Sequence, residues 1–358
     1  MSDEDVEMTE SNQIQVNKPI AQTQEYLPFI EKYRPTEISQ IISQDIIIET
    51  IQELIKKNSL THLLFFGTAG TGKTTCAKAI ANQLYGKEVK YMTLELNASD
   101  DRGIDVIRER IKDFCSSITN FTAFLNPTNN NKRHKLVILD EADMMTNDAQ
   151  GALRRIIEKY SANVRFIFIC NQVNKIIPAL QSRCMKFRFK PISEVNCLNR
   201  IKEICHLEKI DYGSEQTLKE IIKIGERDMR KIMNLLESSF MASANNSINS
   251  DLVYATAGLP SLSVFKTIIA KIGDKKNELR KIILDLNSLR LSQGYAIEDF
   301  IVMLSDYIYE NNLSLGGNEQ LCECCKRIKE IDDVIRKGGD EELCLMNFVG
   351  IIREFNIK

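Results

Sequence analysis

The sequence predicts an α/β module with a parallel sheet, then a small helical region, then an all-helical C-terminal region. Three observations carry that reading. Short apolar runs at residues 63–66, 136–139 and 165–170 alternate with stretches of helical period. Strands that are apolar on both faces belong to parallel sheets covered by helices on each side. After Pro191 the strand signals stop and only helical patterns remain.

The elements follow in order. Residues 1 to about 24 are acidic at first and then rich in Gln and Asn, which predicts a flexible tail. Structure is expected from Tyr26-Leu-Pro-Phe-Ile-Glu-Lys-Tyr-Arg-Pro35. Residues 40–57 place Ile46, Ile47, Ile51, Leu54 and Ile55 at helical spacing, with Asn58 as the stop. Leu63-Leu-Phe-Phe66 is a buried strand ended by glycines. Residues 74–85 are rich in Ala and Lys and end at Gly86, a helix with a glycine cap. Residues 91–96 alternate like a strand, and residues 104–114 repeat at helical spacing. Asn126-Pro-Thr-Asn-Asn-Asn-Lys-Arg133 is a loop. Strands at 136–139, 165–170 and 185–189 and a helix at 149–160 complete the module. Residues 193–257 read as short helices, and Gly258-Leu-Pro260 breaks the chain. The C-terminal stretch carries long apolar stripes such as Leu279, Ile282, Ile283, Leu286 and Leu289. The expected division is a tail at 1–24, an α/β domain at 25–190, a helical domain at 191–258 and a second helical domain at 259–358.

Composition excludes several classes. The chain has 358 residues, 43% apolar and 27% charged, as a globular protein does. No window reaches the roughly 18 apolar residues that a spanning helix needs. The acidic start is unlike a signal peptide, which opens basic and turns apolar. Forty-seven basic against 49 acidic residues give a net charge of −2, so contact with a polyanion has to come from local patches. Ten scattered cysteines do not make a disulfide scaffold and fit a reducing compartment. Cys322, Cys324 and Cys325 form a cluster without a partner CxxC or a nearby His, so packed or exposed thiols are expected rather than zinc.

Gly67-Thr68-Ala69-Gly70-Thr71-Gly72-Lys73-Thr74 fits G-x-x-x-x-G-K-[ST] between a predicted strand and a predicted helix. Glycines let successive backbone N–H groups turn inward into an anion nest, and the helix N-terminus adds positive potential. Lys73 can reach the β- and γ-phosphates of a nucleotide, and the Thr74 hydroxyl can ligate Mg²⁺. Thr75 follows in the same first turn. The glycine spacing does not fit G-x-G-x-x-G, which disfavours a dinucleotide fold.

Leu136-Val-Ile-Leu-Asp140-Glu141-Ala-Asp143 puts an acid pair at the C-terminal edge of a buried strand, where open α/β sheets bind ligands. Asp140 is expected to hold Mg²⁺ and Glu141 to polarise an attacking water. A poised water argues against a small-molecule kinase. Asn171 ends the next strand, beside the acid pair; it reads as a γ-phosphate contact or as a strand cap. Arg183, in Ser182-Arg-Cys184, lies at the module's side. It is poorly placed for its own phosphate loop and available to a neighbour's, or else is a surface charge.

These four signals in this order resemble the AAA+ ATPases. The match tightens at Glu31-Lys-Tyr-Arg-Pro35, Glu95-Leu-Asn-Ala-Ser-Asp-Asp-Arg-Gly-Ile-Asp105, Asp140-Glu-Ala-Asp143 and Pro178-Ala-Leu-Gln-Ser-Arg-Cys184. Together these are similar to the small subunits of replication factor C, the eukaryotic sliding-clamp loader. Asp148-Ala-Gln150, Ala152-Leu-Arg-Arg155, Lys175-Ile-Ile-Pro178 and Lys337-Gly-Gly339 point to one branch of that family. The resemblance is dense from residue 27 to 191 and thinner beyond.

The resemblance implies an α/β P-loop AAA+ module, a helical lid and a helical collar that joins five subunits into a ring. It implies ATP and Mg²⁺ as ligands. Ile30 and Arg34 would line the adenine and phosphate side of the nucleotide, and Asn171 would be the first sensor. Arg230, in Asp228-Met-Arg230, would touch the γ-phosphate as the second sensor, and Arg183 would be an arginine finger offered in trans. The implied partners are four sister subunits, the ring-shaped sliding clamp (PCNA) and primer–template DNA, in the nucleus. Lys132-Arg-His-Lys135 is too short to read as a nuclear signal by itself. DNA contact would be to the backbone, through Arg108, Arg110, Lys112, Arg154 and Arg155, each of which also reads as a solvated helix charge.

Three departures from the family pattern stand out. Thr68-Ala69 replaces two prolines, Arg227 replaces a glycine beside the second sensor, and Met144 sits where the family has a small residue or Met. Two other functions share the nucleotide signals: another AAA+ initiator or helicase loader, and a structural subunit that binds ATP without hydrolysing it. The first would carry a winged-helix or similar DNA-reading domain, of which the C-terminal stretch shows no pattern.

Overall fold

The computed structural model describes residues 27–99, 104–116, 134–243, 245–274, 278–310, 318–355 and 357. The predicted tail at 1–24, the loop at 126–133 and the glycines at 316–317 lie outside them.

The sheet has five parallel strands: β1 (Leu63–Gly67), β2 (Thr93–Asn97), β3 (Lys135–Asp140), β4 (Val164–Cys170) and β5 (Met185–Phe189), in the order β2-β3-β4-β1-β5. β1 lies between β4 and β5, with Phe66 opposite Cys170 and Gly67 opposite Phe189. β3 lies between β2 and β4, with Asn97 opposite Asp140 and Leu139 opposite Phe168. This register brings the ends of β1, β3 and β4 together at one edge of the sheet.

Both faces are covered. On one, α2 (Asp45–Lys56) and α3 (Lys73–Tyr85) bury Ile51, Cys76, Ala77 and Ile80 against Leu63, Phe65 and Ile138. On the other, α5 (Ile104–Ser116) and α6 (Asn147–Tyr160) bury Ile111, Cys115, Leu153 and Ile157 against Leu64, Val137 and Phe166. The predicted strand at 91–96 begins only at Thr93. Residues Val89–Met92 form one helical turn, α4, whose Val89 and Met92 meet the α3 side of the core at i,i+3 spacing.

A third cluster is helical. It joins α8 (Glu194–Glu208), α9 (Glu215–Ile224), α10 (Met229–Ala242) and α11 (Ser250–Ala257). Phe29 of the four-residue α1 (Phe29–Lys32) is buried in this cluster rather than in the sheet, stacked on Phe240 at 6.1 Å. The fourth cluster is formed by α12 (Leu262–Gly273), α13 (Leu279–Gln293), α14 (Ile297–Glu310), α15 (Asn318–Arg336) and α16 (Glu341–Glu354). In it Ile282 and Leu286 are buried, whereas Leu279, at the first turn of α13, is half-exposed. The one-turn helix α7 (Pro178–Gln181) leads into β5.

Candidate functional site

The loop from Gly67 to Thr74 is built on backbone that other residues would not accept. Gly67 leaves β1 so close to β5 that a Cβ would lie 2.3 Å from the Phe189 carbonyl oxygen. Gly70 has φ +67°, and its Cβ would meet Asp228 Oδ1 at 1.8 Å. Asp228 is the N-cap of α10 and accepts from Arg230 N at 2.8 Å, so the loop packs directly on the third cluster. Lys73 is buried, and its Nζ donates to the carbonyls of Gly67 at 2.9 Å and Thr68 at 2.7 Å. Burial lowers its pKa and Asp140 opposes that shift; Arg230, close enough to act on it, adds to the lowering.

The acid pair meets the loop. Thr74 Oγ1 donates to Asp140 Oδ2 at 2.7 Å, and Asp140 Oδ1 accepts from Glu141 N at 2.9 Å. Glu141 has φ +53° and ψ +36°, a left-handed backbone that costs about 1 kcal/mol in a non-glycine residue and turns its exposed side chain off the end of β3. Asp143 Oδ2 accepts from Asn171 N at 3.2 Å and Gln172 N at 3.0 Å, which ties the end of β4 to the acid turn.

The sequence reading missed a support below this edge. Gln150 of α6 is fully buried. Its Nε2 donates to Met145 O at 3.1 Å and Lys175 O at 3.0 Å, and its Oε1 accepts from Ile177 N at 2.8 Å. One amide thus holds the segments after β3 and after β4 in register, a role that no spacing in the chain announces.

A cavity of about 230 Å³ opens between the loop and the third cluster. Ile30, Arg34, Gly70, Thr71, Gly72, Thr74, Thr75 and Arg230 line it, and so do residues the sequence did not single out: Ile41, Ile42, Ile192, Arg200, Ile204, Met229 and Met233. An apolar wall with three arginines suits a flat base with a phosphate tail. Arg34 Nη1 is paired with Glu31 at 3.0 Å. Thr68 and Ala69 are exposed at the loop's crest, outside the cavity.

Arg183 lies apart from the cavity, in the turn between α7 and β5. Its Nη2 pairs with Glu158 Oε1 at 2.5 Å, and its Nη1 donates to Ala179 O at 2.7 Å. Among the DNA candidates, Arg110 and Arg155 are exposed, Lys112 is half-buried and Arg154 pairs with Glu158 at 3.8 Å. The side chain of Arg108 lies outside the described residues. Arg110 and Lys112, two positions apart on α5, point about 200° apart around the helix and cannot meet one phosphate run together. Cys322 and Cys325 are exposed and Cys324 is buried, and among the described residues no cluster of three or more His, Cys, Asp or Glu could hold a metal.

Comparison with known proteins agrees with this geometry. The family model of the AAA ATPases (ATPase family associated with various cellular activities) matches residues 63–192. Replication factor C subunit 5 from Homo sapiens is 42% identical over 329 residues, covering 86% of this chain and 92% of the relative. Replication factor C subunit 3 from Saccharomyces cerevisiae is 37% identical over 338 residues, covering 92% and 94%. A RuvB variant from Thermotoga maritima shares the fold at a TM-score of 0.50 and 15% identity, covering 76% of this chain and 91% of that one. With the loop, the acid turn and the lidded cavity in place, the chain belongs to the replication factor C small subunits, AAA-type ATPases, on the branch numbered five in human and three in budding yeast.

Proposed function

We propose that this chain is an ATP-hydrolysing member of a five-subunit ring that opens the sliding clamp and closes it around primer–template DNA in the nucleus. The observation that carries the catalytic part is the Thr74–Asp140 hydrogen bond, which joins the phosphate loop to the acid turn beneath a lidded cavity. Its two oxygen-bearing side chains are the hard donors that Mg²⁺ takes together with substrate phosphates. Thr74 and Asp140 would hold the ion, which would offset charge that develops on the phosphates.

The chain's own residues supply the rest. Lys73 leaves its carbonyl partners for the β- and γ-phosphates, at little cost because it is already desolvated inside the loop. Glu141 orients the attacking water, and Asn171 borders it from β4. Arg230 approaches the γ-phosphate from the lid. Ile30 and Arg34 hold the base side. Arg183 serves the neighbouring subunit's nucleotide once Glu158 releases it. We assign residues 25–190 to the ATPase domain, with α1 packed on the lid, 191–258 to the lid and 259–358 to the collar.

Three measurements test this. Glu141→Gln should leave ATP binding intact and cut single-turnover hydrolysis at this site about 10²- to 10⁴-fold, the span of a lost general base; unchanged hydrolysis would mean the site binds ATP only as a structural ligand. Arg183→Ala should leave this chain's nucleotide binding untouched and lower hydrolysis in its neighbour about 10³-fold or more. Subunit-mixing experiments decide it, because a defect that stays with the mutated chain refutes the trans role. For DNA, neutralising Arg155 should lower affinity uniformly across sequences and reduce the salt slope by about one unit.

A further inference from the structure

The base-side wall of the cavity is fastened to the lid. Phe29 is buried in the lid cluster, with Ile30 and Tyr33 packed against it. Polar ties from two lid helices hold the same segment. Phe29 N donates to Glu237 Oε2 at 3.1 Å. Glu208 Oε1 takes Lys32 Nζ at 2.5 Å and also accepts from the Tyr33 hydroxyl. Arg200 of α8 donates through Nη2 to the Tyr33 carbonyl at 3.0 Å, while its Nη1 binds Glu203 Oε2 at 2.6 Å. Of these three lid side chains, Arg200 is the one that lines the cavity itself.

We infer that Arg200 is a positioning residue of the nucleotide site: by holding the Tyr33 carbonyl it fixes Ile30 and Arg34 against the lid, so that wall and lid close on the nucleotide as one piece. Carbonyls at the end of a four-residue helix lack intrahelical donors, and a guanidinium supplies a charge-assisted one. Glu203 pins the second arm of the planar fork, so less rotamer freedom is lost when nucleotide binds. The Arg200 side chain is only 20% exposed, so its bond to Tyr33 is screened less than one at the open surface. The inference rests on the nucleotide reading of the cavity and goes beyond it, because the tie acts on the base side and is indifferent to the γ-phosphate.

That indifference is the test. Arg200→Met keeps the aliphatic stem and removes every donor. Titrating the full-length chain calorimetrically with ATP and with ADP should show both dissociation constants raised about tenfold, with their ratio unchanged within twofold. In the assembled complex KM for ATP should rise by the same factor while kcat stays within twofold. Arg200→Lys, which can donate to Tyr33 but not in two directions, should give a smaller, equally even-handed loss of about threefold; it also decides the matter if the methionine variant fails to fold. Unchanged dissociation constants, or a loss confined to ATP, would overturn the inference. A Lys73→Ala control separates the two levels: if it too binds ATP and ADP normally, the nucleotide reading itself falls and takes this one with it.

Discussion

A single methyl group on Gly70 would drive the phosphate loop and the lid apart. The Cβ would sit 1.8 Å from Asp228 Oδ1, and the residue already holds φ +67°. Gly70→Ala should therefore cost about 1–3 kcal/mol of stability and weaken ATP binding, since the loop and Asp228 cannot both keep their places. Denaturant unfolding and an ATP titration on the same variant check both parts, and native stability would refute the contact. The neighbouring Arg227 shows the opposite case. It holds φ +61°, directly after Glu226 at φ +53°. Its ion pair with Glu194, at 3.9 Å and half-exposed, offsets little of that strain. Arg227→Gly should stabilise the chain by about 0.5–1 kcal/mol, read as a raised unfolding midpoint. The resemblance marked Arg227 as a departure from the family pattern, and its positive φ is one that glycine adopts without strain. It gave no mark to Arg200, and it marked Gln150 only as part of a matching stretch; the roles of both exist only once distant segments have been brought together.

Elements were legible where burial is two-sided. β1, β3 and β4 are apolar on both faces, so their runs stand out against any helix period. β2 lies at the edge of the sheet, and its neighbour α4 borrowed part of its pattern: Tyr91 is exposed, and the turn is fixed by Val89 and Met92. α1 falls within the span expected for the α/β domain, yet Phe29 finds its apolar partners in the lid. The lower edge of the sheet carries a titration the sequence could not announce. His62, just before β1, accepts from Phe166 N of β4 at 3.2 Å and packs on the Phe166 ring. Burial chiefly, with help from Arg165 and then His134, holds its pKa down at about 4. The unfolded chain takes up that proton near pH 6.5, well before the folded one does. The stability tied to neutral His62 is thus complete above about pH 6.5 and is lost progressively as pH falls toward 4. His62→Asn, which offers an acceptor that does not titrate, should flatten the thermal midpoint between pH 6.5 and 4 relative to the parent. Parallel curves for the two proteins would remove His62 from the account.

At the scale of the whole molecule, the proposed nucleotide site lies between separate cores. The sheet's two clusters hold the phosphate loop and the acid turn, the lid cluster holds Arg200, Arg230 and the base wall, and the C-terminal helices have a core of their own. Gln44, whose side-chain amide donates to Lys190 O at 2.8 Å and accepts from Lys190 N at 3.4 Å, fastens the chain where it leaves β5, and Asn196 of the lid donates to Ser43 Oγ at 2.5 Å. Between lid and C-terminal helices a half-exposed pair, Lys223–Asp306 at 3.6 Å, adds little. A ligand that touches two cores and not the third should act on those two alone. At 100 times its dissociation constant, ATP adds about 2.7 kcal/mol to whatever unfolds together with its site. Calorimetric unfolding of the full-length chain should accordingly resolve more than one transition, as multi-core chains do. Adding ATP should raise the transition that carries sheet and lid by several degrees and leave that of the C-terminal helices in place. Arg200→Met should need about tenfold more ATP for the same shift. If every transition rose together, the C-terminal core would be thermodynamically continuous with the nucleotide site, and the C-terminal helices would sense ATP directly.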